Sequence, residues 1–297
     1  LVNFFAAGGA NACWACVVYP DPDGTMGDSF GSAHNTFDSR YSKYAPKLDA
    51  VAYYNAVNNI AIKKFVEDRM YGDSTHAFLF RDRDDQALQV WYRNKGREDV
   101  FIPLPGVGKV RVTRIDGSLR DMDADGKGIT LTITEDPILL TYAGGEKTLP
   151  EKPGAPAITL GDVSSSVVRG EESRMEVVLN SAKPEDLEIQ APPFWKTEKE
   201  TATDAHGRTV VRYGLQAPDD SAVREADMTV SVKSGEKVIG QIYHRPAVTG
   251  ALQIGLLPVA PSDGEPAAVK RVIQNNSPAK QQANWEVVLT GEQTLAN

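Results

Sequence analysis

Carboxylates supply most of the reactive side chains in this sequence, and they gather where the chain turns: Asp21 and Asp23, Asp82 to Asp85, Asp121 to Asp125, Asp219 and Asp220. Two carboxyls held on opposite sides of a bond can act as general acid and general base, provided their surroundings move the two pKa values apart. Acids on solvated turns keep near-ordinary pKa values and make poor general acids at neutral pH. The run Asp121-Met122-Asp123-Ala124-Asp125-Gly126 matches the front of a calcium loop, D-x-D-x-D-G. The match then fails. The ninth position is Ile129, the twelfth is Thr132 where a bidentate Glu is required, and 129–134 reads as a strand. A hairpin tip with solvated acids fits better. Cys13 and Cys16, the only two cysteines, are spaced C-x-x-C inside an apolar strand-like run. On a strand, positions i and i+3 face opposite sides, so the thiols read as two small buried residues. The four histidines, His34, His76, His206 and His244, are too scattered to complete a zinc site. No nucleotide loop, zincin motif or Ser-His-Asp order is visible, so the reading is no cofactor and no metal. Phe194-Trp195, after Ala191-Pro192-Pro193, reads either as an exposed aromatic patch for sugar or as a plug in a β core, the commoner use of such a pair.

The 297 residues allow two or three domains of ~100–200 residues each. A hydrophobic share of 41% and a charged share of 24% fit a globular protein. The net charge of −8 argues against a nucleic-acid partner, because a phosphate-binding surface needs a basic footprint. It leaves room for a sugar, which is held by hydrogen bonds and ring stacking. No apolar run reaches the ~18 residues that span a bilayer, so no membrane span is expected. The opening stretch lacks the marks of a signal peptide and reads as the end of an amphipathic helix entered partway. Residues 286–293 stop just after a strand pattern. Both ends suggest a piece of a longer protein.

The elements that must position these groups change character near residue 70. Residues 12–19 form a continuous apolar run, expected as a buried strand. A long polar loop follows to Lys43. Pro46 stands where helices often begin. From Leu48 to Phe65 apolar residues recur at three- and four-residue steps, which predicts a helix over 47–66. Residues 75–142 alternate as short strands every ~8–12 residues with turns between them, the pattern of a β-sandwich. This segment is expected to pair within itself and to pack against the helix. Trp91 is expected inside, provided both faces of its strand are covered. A Pro-rich linker spans 148–156. A second all-β segment covers 157–245, and 246–297 reads as the start of a third, truncated one.

Over 1–142 the order of segments resembles the C-terminal end of glycoside hydrolases that join a (β/α)₈ barrel to a small β-sandwich, of the family 39 and family 5 kind. Phe4-Phe5-Ala6-Ala7-Gly8-Gly9 looks like the end of the seventh helix. Cys13-Trp14-Ala15-Cys16-Val17-Val18-Tyr19 looks like strand eight, and Ala45-Pro46-Lys47-Leu48-Asp49-Ala50-Val51-Ala52-Tyr53-Tyr54-Asn55 looks like helix eight. Ala77-Phe78-Leu79-Phe80, Leu88-Gln89-Val90-Trp91-Tyr92, Ile115-Asp116-Gly117 and Asp136-Pro137-Ile138-Leu139-Leu140 fall where the appended sandwich repeats its strands. The resemblance implies a mainly β fold with a short α/β N-terminal part: a partial TIM-barrel end over 1–70, an appended sandwich over 71–147, and further antiparallel, Ig-like sandwiches. It implies a parent that hydrolyses O-glycosidic bonds of poly- or oligosaccharides. Carbohydrate would be the substrate, the rest of the barrel the partner, and the setting extracellular or periplasmic. Such enzymes place two carboxyls roughly 5–9 Å apart, on strand ends that precede the last strand. Neither position lies in this chain, so no catalytic residue is assigned and the chain alone is expected to be inactive. Trp14 would be a sugar platform or barrel packing. Tyr19, Asp21, Asp23 and His34 would lie at the rim among substrate-binding loops, although Pro-Asp-Pro-Asp-Gly is also ordinary turn chemistry. A reading of a different class is a non-catalytic, multi-module β protein of the cell surface that adheres or binds carbohydrate.

Overall fold

A computed structural model of the chain describes residues 2–9, 37–38, 45–46, 48–164, 166–259 and 268–277. The expected strand over 12–19 lies outside the described residues. The chain is mainly β, with largely antiparallel sheets. It opens with a short helix α1 (Val2–Ala6), two short paired strands β1 (Phe37–Asp38) and β2 (Ala45–Pro46), and helix α2 (Leu48–Ile60). The helix expected over 47–66 is therefore corrected. It ends at Ile60, and Lys64–Tyr71 forms a strand, β3, although Phe65 fits the helical spacing. Phe65 and Val66 are residue types that suit a strand. Pairing of β3 along β4 (Thr75–Arg81) gives this segment a ladder that an isolated helical turn lacks. Lys63 fixes the corner through an ion pair with Asp82 at 2.9 Å.

After β4 come β5 (Ala87–Arg93), β6 (Glu98–Pro103), β7 (Lys109–Thr113), β8 (Leu119–Asp123), β9 (Gly128–Ile133) and β10 (Ile138–Tyr142). Six of these strands form one antiparallel sheet in the order β3-β4-β5-β10-β7-β8. Its two faces serve different purposes, as period-two alternation requires. Ala77, Leu79, Ala87, Trp91, Ile138, Leu140 and Tyr142 face β6 and β9, where Val100, Ile102, Ile129, Leu131 and Ile133 complete the first core. Phe78, Phe80, Leu88, Val90 and Leu139 face the other way, and Ile60 of α2 and Phe5 of α1 pack on them. Both faces of β4 and β5 are thus covered, as expected, and Trp91 is 0% exposed.

The later strands are β11 (Ile158–Val163), β12 (Ser166–Val168), β13 (Glu172–Leu179), β14 (Leu187–Gln190), β15 (Lys196–Thr203), β16 (Thr209–Gln216), β17 (Met228–Ser234), β18 (Lys237–His244), β19 (Ala247–Thr249), β20 (Leu252–Val259) and β21 (Ala268–Asn275). One sheet runs β11-β13-β16-β15. The other runs β14-β17-β18-β9-β6 and so contains strands from both sides of the Pro-rich linker. The expectation that 75–142 pairs only within itself is corrected by this sheet. β18 lies parallel to β9, with Gly240 opposite Thr130 and Gln241 opposite Leu131. A parallel pair needs a long crossover, and the whole of 134–236 supplies it. A second correction concerns the end of this unit. β19 pairs with β12 and buries Val248, so the unit continues past residue 245. Beyond it, β20 and β21 pair with each other.

The second core packs Ile158, Met175, Val177, Val211, Tyr213 and Leu215 against Leu187, Met228, Val230, Val232 and Ile242. Ile242 shares a face of β18 with Gly240, whose partner Thr130 points away from the first core. The two cores therefore lie on opposite faces of the one shared sheet. The residues at 148–156 are strapped down between them. Leu149 is buried, its N–H bonds Glu67 Oε1 at 2.7 Å, the Tyr71 hydroxyl donates to the Pro150 carbonyl at 2.6 Å, and Phe101 and Gly154 exchange backbone hydrogen bonds. Asp99 binds the joint. Its side chain is 5% exposed and accepts from the Thr132 hydroxyl, from Arg97 at 2.8 Å and, across the linker, from Leu160 N–H at 2.7 Å. Asp99→Ala leaves those buried donors unmatched and should cost about 2 kcal/mol in chemical denaturation. An unchanged midpoint would show that the joint does not depend on this carboxylate.

Candidate functional site

Trp14, Tyr19, Asp21, Asp23 and His34 lie outside the described residues, so the structure brings none of them to a site. What it does form is a cleft of about 1170 Å³ between the two units. Its origin is the topology just described. Because the cores lie on opposite faces of the shared sheet, the face of β17 and β18 that looks away from the second core has no sheet of its own to cover it. Thr229, Gln241 and Tyr243 make this floor. The end of the first unit's sheet rises beside it and contributes Arg114, Leu119 and Arg120. The opposite wall comes from the β14–β15 turn, with Pro192, Pro193, Phe194 and Trp195, and from the segment 218–227.

The β14–β15 turn separates the aromatic pair. Trp195 packs on the second core, as the commoner use of such a pair anticipates. Phe194 does not. It is 91% exposed and has φ +69°. Trp195 N–H bonds the Pro192 carbonyl at 3.3 Å, so Pro193 and Phe194 hold the two central positions of a turn. A positive φ at the second of these is the type II geometry, which ordinarily takes Gly. A bulky residue there costs roughly 1–3 kcal/mol, and strain of this kind concentrates at binding sites. An apolar ring in water adds to that cost. Both costs fall on one side chain, at the lip of the cleft.

Tyr243 organises the floor. Its ring lies under the Arg114 guanidinium, 3.8 Å from ring centroid to Cζ, so a residue of the first unit caps one of the second. Its hydroxyl donates to Asp227 Oδ1, which also accepts from Arg245 Nε at 2.8 Å. Burial and the bond to Asp227 both push the Tyr243 phenol well up, so it stays neutral. Burial alone would raise the Asp227 carboxyl, but the hydrogen bonds from Tyr243 and Arg245 outweigh it and hold the group below the usual carboxylate range. Asp227 is therefore an ionised acceptor with a structural duty, the opposite of a general acid poised near neutral pH. The geometry can bind and orient a ring-shaped polar molecule. Three further carboxylates, Asp116, Asp220 and Glu225, line the same cleft.

Of the acids in 121–126, Asp121 and Asp123 lie in β8, paired with Arg111 and Lys109 of β7, and Asp125 lies in the turn before β9, which corrects the reading of all three as a hairpin tip. Asp121 makes a two-point contact with Arg111 at 2.8 and 3.2 Å, and Lys237 lies 3.9 Å from Asp123 and 3.7 Å from Asp125. Among the described residues no cluster of three or more His, Cys, Asp or Glu could hold a metal ion, and no helix is long and apolar enough to cross a membrane. Sequence reasoning missed Arg114, Arg120, Arg224, Asp227, Tyr243 and Arg245. They come from four separate segments, and no local spacing marks them. Phe194 had a signal: an aromatic residue after Pro-Pro, in a turn position that favours Gly. No family model matches the chain, and no curated protein matches it.

Proposed function

We propose that this chain is a non-catalytic, saccharide-binding β part of a carbohydrate-active protein, and that the cleft between its two units holds the sugar. The observation that carries the reading is Phe194, an exposed aromatic ring held in a strained turn over an open polar cleft. Sugar rings have apolar faces and hydroxyl edges, so a lone aromatic platform beside side-chain donors and acceptors suits them. The test is calorimetric titration of the chain with a panel of oligosaccharides, neutral and charged, alongside Phe194→Ala. Removing the platform should lower affinity by about tenfold or more, at the ~1.5–3 kcal/mol that burial of a phenylalanine contributes. Absence of binding to every member of the panel would end this reading.

A second reading, that the chain also braces a glycoside hydrolase barrel, is supported by α1 and α2. Ile60 and Phe5 fix a helical layer to the outer face of the first sheet, as support for a barrel would require. Under either reading the chain alone turns over no aryl glycoside. Turnover abolished by Asp→Asn replacement at Asp21 or Asp23 would overturn both.

A further inference from the structure

Ten of the fourteen arginines whose side chains are described are committed. Most of those described are ion-paired with a carboxylate, and Arg81 and Arg169 donate to backbone carbonyls. Among the arginines whose side chains are described, four have neither an ion pair nor a side-chain hydrogen bond. Arg83 is one, on an exposed turn. The other three, Arg114, Arg120 and Arg224, all line the cleft. Arg114 uses the face of its guanidinium on Tyr243, which leaves the N–H edge without an acceptor, in a setting buried enough to pull its pKa down. Glu188 feels the charge of Arg120 but is itself paired with Lys233 at 2.5 Å.

The cleft lining also carries four carboxylates, Asp116, Asp220, Glu225 and Asp227. Asp116 accepts from Ser118 N–H at 2.9 Å, and Asp227 and Glu225 lie 2.8 and 3.7 Å from Arg245. Asp220 alone lacks a partner there. The lining side chains without an ion pair or a hydrogen bond are thus three arginines and one carboxylate, and the arginines are guanidinium forks, whose planar geometry matches carboxylate and sulfate oxygens.

Resting on the reading of the cleft as a saccharide site, we infer that its ligand is an anionic saccharide bearing carboxylate or sulfate groups, read by Arg114, Arg120 and Arg224 while the sugar face lies on Phe194. A charged group on the ligand satisfies donors that a neutral hydroxyl meets only weakly.

The experiment titrates the intact chain with three oligosaccharides of equal length: a galacturonate oligomer, a sulfated galactan oligomer and a neutral galactan oligomer. Arg114→Gln, Arg120→Gln, Arg224→Gln and Phe194→Ala are measured beside it, with Arg83→Gln as the control outside the cleft. A charged oligomer should bind at least tenfold more tightly than the neutral one. Each cleft arginine replaced should weaken that binding about tenfold, and Arg83→Gln should leave it unchanged. Preference for the galacturonate or for the sulfated chain identifies the anion, and either supports the inference. Equal affinity for the neutral oligomer with no effect of the arginine variants would overturn it, while a loss on Phe194→Ala in the same titration would leave the saccharide site standing. Equal weakening by Arg83→Gln would also overturn it, by showing attraction to charge without a site. Three variants at separate positions guard against any one of them disturbing the fold.

Discussion

Trp91→Ala should be the most damaging single change in the first unit, at about 3–5 kcal/mol. The side chain is 0% exposed and lies in the middle of a core that β4, β5, β6, β9 and β10 all share. Its ring stacks on Tyr71 at 5.2 Å between centroids, with an interplanar angle of 6°. Tyr71 in turn holds the 148–156 strap through Pro150. The loss is more than a cavity. Trp91 Nε1 donates to Gln89 Oε1 at 2.8 Å, and Gln89 Nε2 donates to the Tyr142 hydroxyl at 2.8 Å. Without the indole, a fully buried amide oxygen loses its donor, which adds desolvation to the volume lost. Denaturant titration checks it: the midpoint should fall with little change in slope. A loss below about 1 kcal/mol would show that Trp91 is not core. Trp91→Phe should fall between, because it keeps part of the stack and forfeits the N–H.

Gly240→Val is the second, and it probes the joint between the units. A Cβ at Gly240 would come within 2.9 Å of Thr130 Cβ, closer than real Cβ atoms approach. Thr130 cannot yield easily, since that atom is tied to the backbone of β9 and its hydroxyl accepts from Ala157 N–H at 3.1 Å. The parallel pair must spread, at about 3 kcal/mol for a branched side chain forced into a packed site. β18 carries Ile242 of the second core and β9 carries Leu131 of the first, so amide hydrogen exchange should quicken in both units. Faster exchange confined to 157–249 would mean that the units do not share a sheet. The same variant should disturb the cleft, because Gln241 and Tyr243 follow Gly240 on β18.

Several elements were legible because their physics is local. The alternation through Ala87-Leu88-Gln89-Val90-Trp91-Tyr92 marks a strand with two buried faces, and the structure supplies a core on one and helices on the other. Of the 121–126 acids only Asp125 is at the turn; Asp121 and Asp123 belong to β8, so the hairpin tip is shorter than the failed calcium pattern suggested. Spacing misled at Phe65, where a three- to four-residue rhythm outlasted the helix by chance and the β4 ladder took the segment. The rim residues Tyr19, Asp21, Asp23 and His34 were chosen on a barrel resemblance, and they fall outside the described residues.

By itself the sequence determined what depends on neighbours a few residues apart: a β-rich chain, many of its turns and its buried faces. Only the tertiary structure decided that β18 would lie parallel to β9 across the 148–156 strap. That pairing set the two cores on opposite faces of one sheet and opened the cleft where they part. Arg114, Arg224 and Tyr243 meet there although more than a hundred residues separate the first from the others. The reason is physical. Strand propensity and alternation are settled by each segment's own side chains, whereas the partner of a strand edge depends on which distant edge offers unpaired N–H and C=O groups and a matching apolar face.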